Sequence, residues 1–139
     1  MRVDARFASP VLGTARSDTF ARAVRLLGEA CIYVNREHLA AYPGCPSLYA
    51  SGVRYQNEPQ GRPDELLDIP AIQAQGWGDC LHLSCWRVAE LRERHRERGA
   101  ALAYDWKPLL VQGKPGRLFH CFVRRSTGVI EDPSIILGM

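Results

Sequence analysis

Three residues of this chain carry the parts of thiol chemistry in a workable order: Cys80 behind a Gly-Asp pair, His120 in a β-rich run, and Asp132 ahead of Pro133. Acyl transfer through a thiol needs a nucleophile, a base that takes its proton and returns it to the leaving group, and a carboxylate or amide that orients the imidazole. Cys80 supplies the nucleophile of such a scheme, His120 the general base and acid, and Asp132 the orienter. Each also has a structural reading. A free thiol packs as a small hydrophobe, His120 alternates with Leu118 and Phe122 as a core histidine would, and an aspartate before proline caps a turn. It is the combination that points to chemistry.

The stretch Gly76-Trp77-Gly78-Asp79-Cys80 reads as a tight glycine turn that opens a helix. Asp79 is the predicted N-cap, because its carboxylate can accept from first-turn amides that lack helical partners. Cys80 then occupies the first helical position, where the helix dipole is expected to lower the thiol pKa. From Cys80 to Leu91 nearly every side is apolar (Leu81, Leu83, Cys85, Trp86, Val88, Ala89), so this helix is predicted to lie inside the protein. Arg92 to Arg98 is charged all round, and Gly99 is its expected stop.

Hairpin arithmetic tests whether His120 and Asp132 can meet. With Arg125-Ser126-Thr127 as a three-residue loop, Arg124 pairs with Gly128 and His120 falls opposite Asp132 on one face. A two-residue loop would put Cys121 there instead.

The remaining elements follow from periodicity and punctuation. Residues 1–16 show no period and read as an N-terminal arm. Ser17-Asp18 caps a helix starting near Thr19, whose Phe20, Ala23, Val24, Leu27, Cys31 and Val34 recur at helical spacing, with a break at Gly28 and an end before Pro43. Tyr42 to Glu65 is dense in turn formers, with Val53 to Gln56 as an extended piece; a loop of this length in one domain is often functional, and substrate choice is assigned to it. Asp68-Ile69-Pro70 starts a short helix through Gln75 that Gly76 closes. Ala101 to Trp106 and Leu109 to Gln112 read as strands around Lys107-Pro108, Gly113 to Gly116 as a turn, and Val129 to Asp132 as a last strand ended by Pro133. Helices followed by an antiparallel sheet give an α+β class, with residues 1–139 as one domain.

Composition narrows the setting. A 46% hydrophobic and 24% charged chain argues against disorder, and no apolar run approaches the roughly 20 residues of a membrane span. The start Met1-Arg2-Val3-Asp4-Ala5-Arg6 lacks a signal-peptide core, which predicts a cytoplasmic protein or one carried in a phage particle. Five cysteines cannot all pair within one chain, so free thiols are expected. A net charge of +3, with the most basic run alternating Arg and Glu, does not predict nucleic-acid binding.

Gly78-Asp79-Cys80 opening an apolar helix, His120 in a strand and Asp132-Pro133 after a hairpin together resemble the transglutaminase-like branch of the papain-like cysteine hydrolases. The likeness covers roughly residues 40–139, and the small size with the loop ahead of the motif is similar to transglutaminase-like proteins of phage and prophage. It implies a papain-like fold with a buried nucleophile helix packed on an antiparallel sheet, and an acyl-transfer site of Cys80, His120 and Asp132. The backbone N–H of Cys80 is the natural first oxyanion donor; Gln56, Tyr55 and Trp77 are candidates for the second. Tyr49, Trp77 and His82 are candidates for the substrate cleft. Many relatives carry acidic residues after the cysteine, where this chain has Leu81-His82; His82 is read as a polar residue at the helix start in preference to a second imidazole of the site.

The expected function is hydrolysis of a peptide or amide bond through a thioester on Cys80, acting on a peptide or protein substrate, with no metal and no cofactor. A metal site from Cys80, His82, Cys85, His120 and Cys121 is disfavoured, since no pair has Cys-x-x-Cys spacing and adjacent strand residues face opposite ways. The alternative is a catalytically inactive papain-like binding or assembly module, such as a phage structural or accessory protein with a virion assembly partner.

Overall fold

Helix α3 (Cys80–Arg94) is the element the others are laid against: helix α1 (Thr14–Ala41), strand β6 (Lys114–Arg124) and the short helix α4 (Pro133–Ile136) all pack on it. The computed structural model describes residues 2–4, 14–59 and 65–139. Leu83, Cys85, Trp86, Val88 and Ala89 have no exposed surface, as an apolar helix without a solvent face requires. The helix stops at Arg94, ahead of the expected Gly99. Arg96 takes φ 53, and the Glu97 N–H turns back to the Leu91 carbonyl at 2.9 Å, so the end is closed before the glycine is reached.

α1 is one helix of 28 residues. It runs through Gly28 without a break and starts at Thr14, five residues before the expected Thr19. Ala21, Val24, Gly28, Cys31, Ile32, Asn35 and Leu39 form its buried face, each three or four residues from another of them. Strand β1 (Arg2–Asp4) pairs antiparallel with β3 (Glu65–Leu67), so the stretch expected as an arm through residue 16 contributes a strand and the first turn of α1. Residues 5–13 of that stretch lie outside the described residues.

The main sheet has the order β5-β6-β7. β5 (Ala101–Val111) is one continuous strand, where two had been expected on either side of Lys107-Pro108. Pro108 pairs opposite Arg117 without breaking the ladder, which proline can do because β5 is an edge strand whose missing N–H can face away from β6. The turn is Gln112-Gly113, with φ 50 and 75, a two-residue connection whose twist matches the hairpin. Lys114 to Gly116, expected in the turn, already belong to β6. Toward α1 the hairpin presents aromatic rings: Phe20 lies edge-on to Phe119 at 5.5 Å and tilted to Trp106 at 6.0 Å. Strand β7 (Ile130–Glu131) completes the sheet. With a second, parallel pair formed by β2 (Arg54–Tyr55) and β4 (Trp77–Gly78), the protein is a mixed α+β structure of helices and small sheets.

Candidate active site

The start of α3 is built locally, residue by residue. Helix α2 (Ile69–Gln75) is capped by Asp68 and ended by Gly76 at φ 80, a left-handed turn that glycine adopts without steric cost. Strand β4 follows, and a side chain at Gly78 would meet His82 Cβ and Leu83 Cδ2 at 3.1 Å. Asp79 is the N-cap the sequence predicts: its carboxylate accepts from the His82 N–H at 2.9 Å, while His82 Nδ1 faces the Asp79 N–H at 3.3 Å in a reciprocal capping box. Cys80 is therefore the first helical residue.

His120 sits in β6 with 3% of its surface exposed, and its Nε2 meets Asp132 Oδ2 at 2.6 Å. The pair forms by a different register from the expected one. Arg125 N–H bonds the Val129 carbonyl at 2.8 Å, and β6 and β7 pair as Val123 with Glu131 and Arg124 with Ile130. The pairing is thus shifted by two residues along β7, with Arg124 opposite Ile130 and not Gly128, and Asp132 reaches His120 from a diagonal position. Diagonal neighbours share a face and stay within reach of long side chains. Asp132 also leaves the strand: it is the N-cap of α4, with Oδ1 accepting from the Ser134 N–H at 3.0 Å. Pro133, expected only to end pairing, is the first residue of that helix, where its missing N–H costs nothing. The carboxylate is split, one oxygen fixed by a helix and the other by the imidazole.

The electrostatics at Cys80 run against the expectation from the helix dipole. Burial pushes the thiol up to about 12, and the Asp79 and Asp132 carboxylates repel a negative sulfur further. The backbone amides of Leu81 and Cys121 oppose this, as donors to the anion should, and lose. Dehydrating a thiolate thus outweighs the dipole here. The amide of Cys121 places the sulfur against β6 one residue beyond His120, although among the described residues no hydrogen bond joins the thiol to the imidazole.

The other candidates divide. β2 lies beside the glycine turn, with Arg54 N bonded to Gly76 O and Gln56 N to Gly78 O, at 3.1 and 3.0 Å. Tyr55, Gln56 and Trp77 are thereby gathered at the helix start. Burial and then the charges of Cys80, Asp79 and Asp132 raise the Tyr55 pKa, and its hydroxyl donates to Asn57 Oδ1 at 2.6 Å. Tyr49 lies on the short 3₁₀ turn Leu48–Ala50 and bonds Glu131 Oε1 at 2.5 Å. His82 is 1% exposed, with Nε2 bound to the Glu65 carbonyl and Nδ1 to Asp79, so both ring nitrogens are taken up within the protein. Among the described residues the one trio of potential ligand atoms within 4.8 Å is Glu58, Asp79 and His82, and a metal there would have to displace the cap.

Sequence reasoning did not single out Glu131 or Arg87. Arg87 Nε meets Glu131 Oε1 at 2.5 Å, Arg87 Nη1 meets Glu90 Oε2 at 2.9 Å, and Arg125 joins Glu131 to Glu97. One signal was available: Arg87 is the lone cation inside the apolar run of α3, and a charge buried there requires a partner.

No family model, no curated protein and no solved structure matches this chain. Among the described residues no helix is long and apolar enough to cross a membrane.

Proposed function

We propose that this protein is a cysteine-dependent acyl-transfer enzyme of papain-like, transglutaminase-like type, hydrolysing a peptide or amide bond of a peptide or protein substrate. The observation that carries the reading is the His120–Asp132 pair at 2.6 Å beside a helix that begins at Cys80. With Nε2–H donating to the carboxylate, the ring's lone pair lies on Nδ1, the nitrogen free to take a proton. Since burial disfavours a standing thiolate, the thiol proton passes to Nδ1 as Sγ attacks the carbonyl carbon. The resulting imidazolium, facing Asp132, gives that proton to the departing amine. Water then attacks the thioester, releasing the acid and restoring the thiol. The backbone N–H of Cys80 at the helix start is the oxyanion donor of this scheme.

A second reading, an inactive papain-like module that binds or assembles, for example in a phage particle, is favoured by the thiol pKa of about 12. p-Nitrophenyl acetate separates the two, read by mass spectrometry of each cysteine peptide. The enzyme reading expects acetylation of Cys80 ahead of the partly exposed Cys45 and steady release of nitrophenol, lost in Cys80→Ala and His120→Ala. Acetylation at Cys45 alone, or full turnover by Cys80→Ala, overturns it and leaves the binding module.

A further inference from the structure

We infer that Glu131 is a positioning residue: it fixes the strand end from which Asp132 reaches His120, and couples that end to the helix that carries Cys80. The inference rests on the reading of His120 and Asp132 as base and orienter. Glu131 Oε1 accepts from the Tyr49 hydroxyl and from Arg87 Nε, both at 2.5 Å, and Oε2 accepts from Arg125 Nη1 at 2.8 Å. One carboxylate therefore holds a turn, a helix and a hairpin loop. Both ends of the clamp are themselves held. Arg87 bonds Glu90, which is 1% exposed, and its guanidinium lies 5.0 Å from the centre of the Tyr49 ring. Arg125 grips Glu97 through Nε at 2.9 and 3.0 Å and through Nη2 at 2.7 Å.

Position gives this clamp its consequence. Successive side chains in extended chain point to opposite sides, and Asp132 is itself extended, at φ −110 and ψ 98. Pinning Glu131 to α3 on one side thus sets the direction of Asp132 on the other. Arg87 is seven residues beyond Cys80, two turns along the same helix. The distance between nucleophile helix and orienter strand is accordingly set by a charged pair with 14% and 13% side-chain exposure, where geometry is held more tightly than on the surface.

The test reads the His120 ring directly and needs no substrate. Long-range proton–nitrogen NMR follows the Nε2–H of His120, bonded to Asp132, and that of His82, bonded to the Glu65 carbonyl and outside the clamp, in wild type, Glu131→Ala, Glu131→Gln and Tyr49→Phe. Solvent exchange of the His120 Nε2–H is expected to rise at least about tenfold in Glu131→Ala. Glu131→Gln, which keeps an acceptor for Arg87, should recover part of the loss, Tyr49→Phe should give a smaller rise, and His82 should not change. An unchanged His120 signal in any folded Glu131 variant overturns the inference, as does an equal change at both histidines, which is general loosening. Should Glu131→Ala not fold, Glu131→Gln and Tyr49→Phe decide by the same criteria. The acetylation assay on the same proteins keeps the two ideas apart: a wild type that is not acetylated at Cys80 fails the enzyme reading while the NMR result still judges the clamp.

Discussion

His82 and His120 are buried to nearly the same degree, 1% and 3% exposed, and each gives Nε2 to an oxygen. They differ in the other nitrogen. His82 Nδ1 lies 3.3 Å from the Asp79 N–H and 3.2 Å from its carboxylate, so whatever its protonation the ring is committed to the helix cap. His120 Nδ1 has no such partner among the described hydrogen bonds, and the oxygen at its Nε2 is a carboxylate that steadies a positive ring where a carbonyl does so less. Burial alone does not separate these two histidines; the use of the second nitrogen does, and a free one is what the role proposed for His120 requires.

Substitution should split the two. His120→Ala and Cys80→Ala are expected to remove turnover of p-nitrophenyl acetate by about a thousandfold or more per folded molecule. Asp132→Asn should cost about a hundredfold, because an amide has one acceptor oxygen where the carboxylate uses two, and either His120 or the Ser134 N–H then loses its bond. His82→Ala should do the reverse of His120→Ala. Loss of a capping box and of a buried hydrogen bond is expected to lower unfolding free energy by about 2–3 kcal/mol, with less than a tenfold change in rate per folded molecule. Equal kinetic losses from the two histidines would break the comparison.

pH sharpens the nucleophile side of it. Free thiols titrate near 9.0, whereas Cys80 in the folded protein is held at about 12. Below pH 9 folded and unfolded chains both keep the proton and the contribution is fully present. As pH rises from 9 toward 12 the unfolded chain sheds it first, so stability falls, at most about 1.4 kcal/mol per pH unit for one thiol. Burial raises Cys121 in the same direction, and Cys85 is raised too, first by its contact with the Cys31 thiol. Urea unfolding stepped through this window should show the decline, and Cys80→Ser should shallow it. Alkylation of Cys80 by iodoacetamide should likewise be slow at neutral pH and climb throughout the window.

What the sequence discloses here is what depends on near neighbours. The turn, cap and first residue of α3 are written in Gly76, Asp79 and Cys80, and the structure has them as predicted. The hairpin was legible in parity and not in register: parity put Asp132 on the face of His120, but Arg124 pairs with Ile130, two residues beyond the expected Gly128, and the Arg125 bonds to Glu97 and Glu131 span 28 and 6 residues. The sign of the Cys80 shift was not legible, because the dipole is a property of one helix whereas burial depends on residues distant in the chain, Cys121 of β6 and Asp132 among its neighbours. Tyr49 and Glu131 meet across 82 residues, and no local pattern marks them.

The smallest expected effect is also the strictest on the geometry. Two carboxylates flank His120: Asp105 lies directly opposite it in the β5–β6 ladder, and Asp132 comes from the cap of α4. Cross-strand partners share a face, with Cβ atoms typically about 5 Å apart, so from register alone Asp105 would be the natural orienter. Asp105 is exposed, however, and no hydrogen bond to His120 is found for it among the described residues, whereas Asp132 binds Nε2 at 2.6 Å while anchored to the Ser134 N–H. An exposed carboxylate beside a histidine contributes little through water. Asp105→Asn is accordingly expected to change acetylation and turnover less than about twofold, against the hundredfold for Asp132→Asn. If the two substitutions were equally damaging, the imidazole would have two orienters, and the split carboxylate of Asp132 would lose its claim to set the ring.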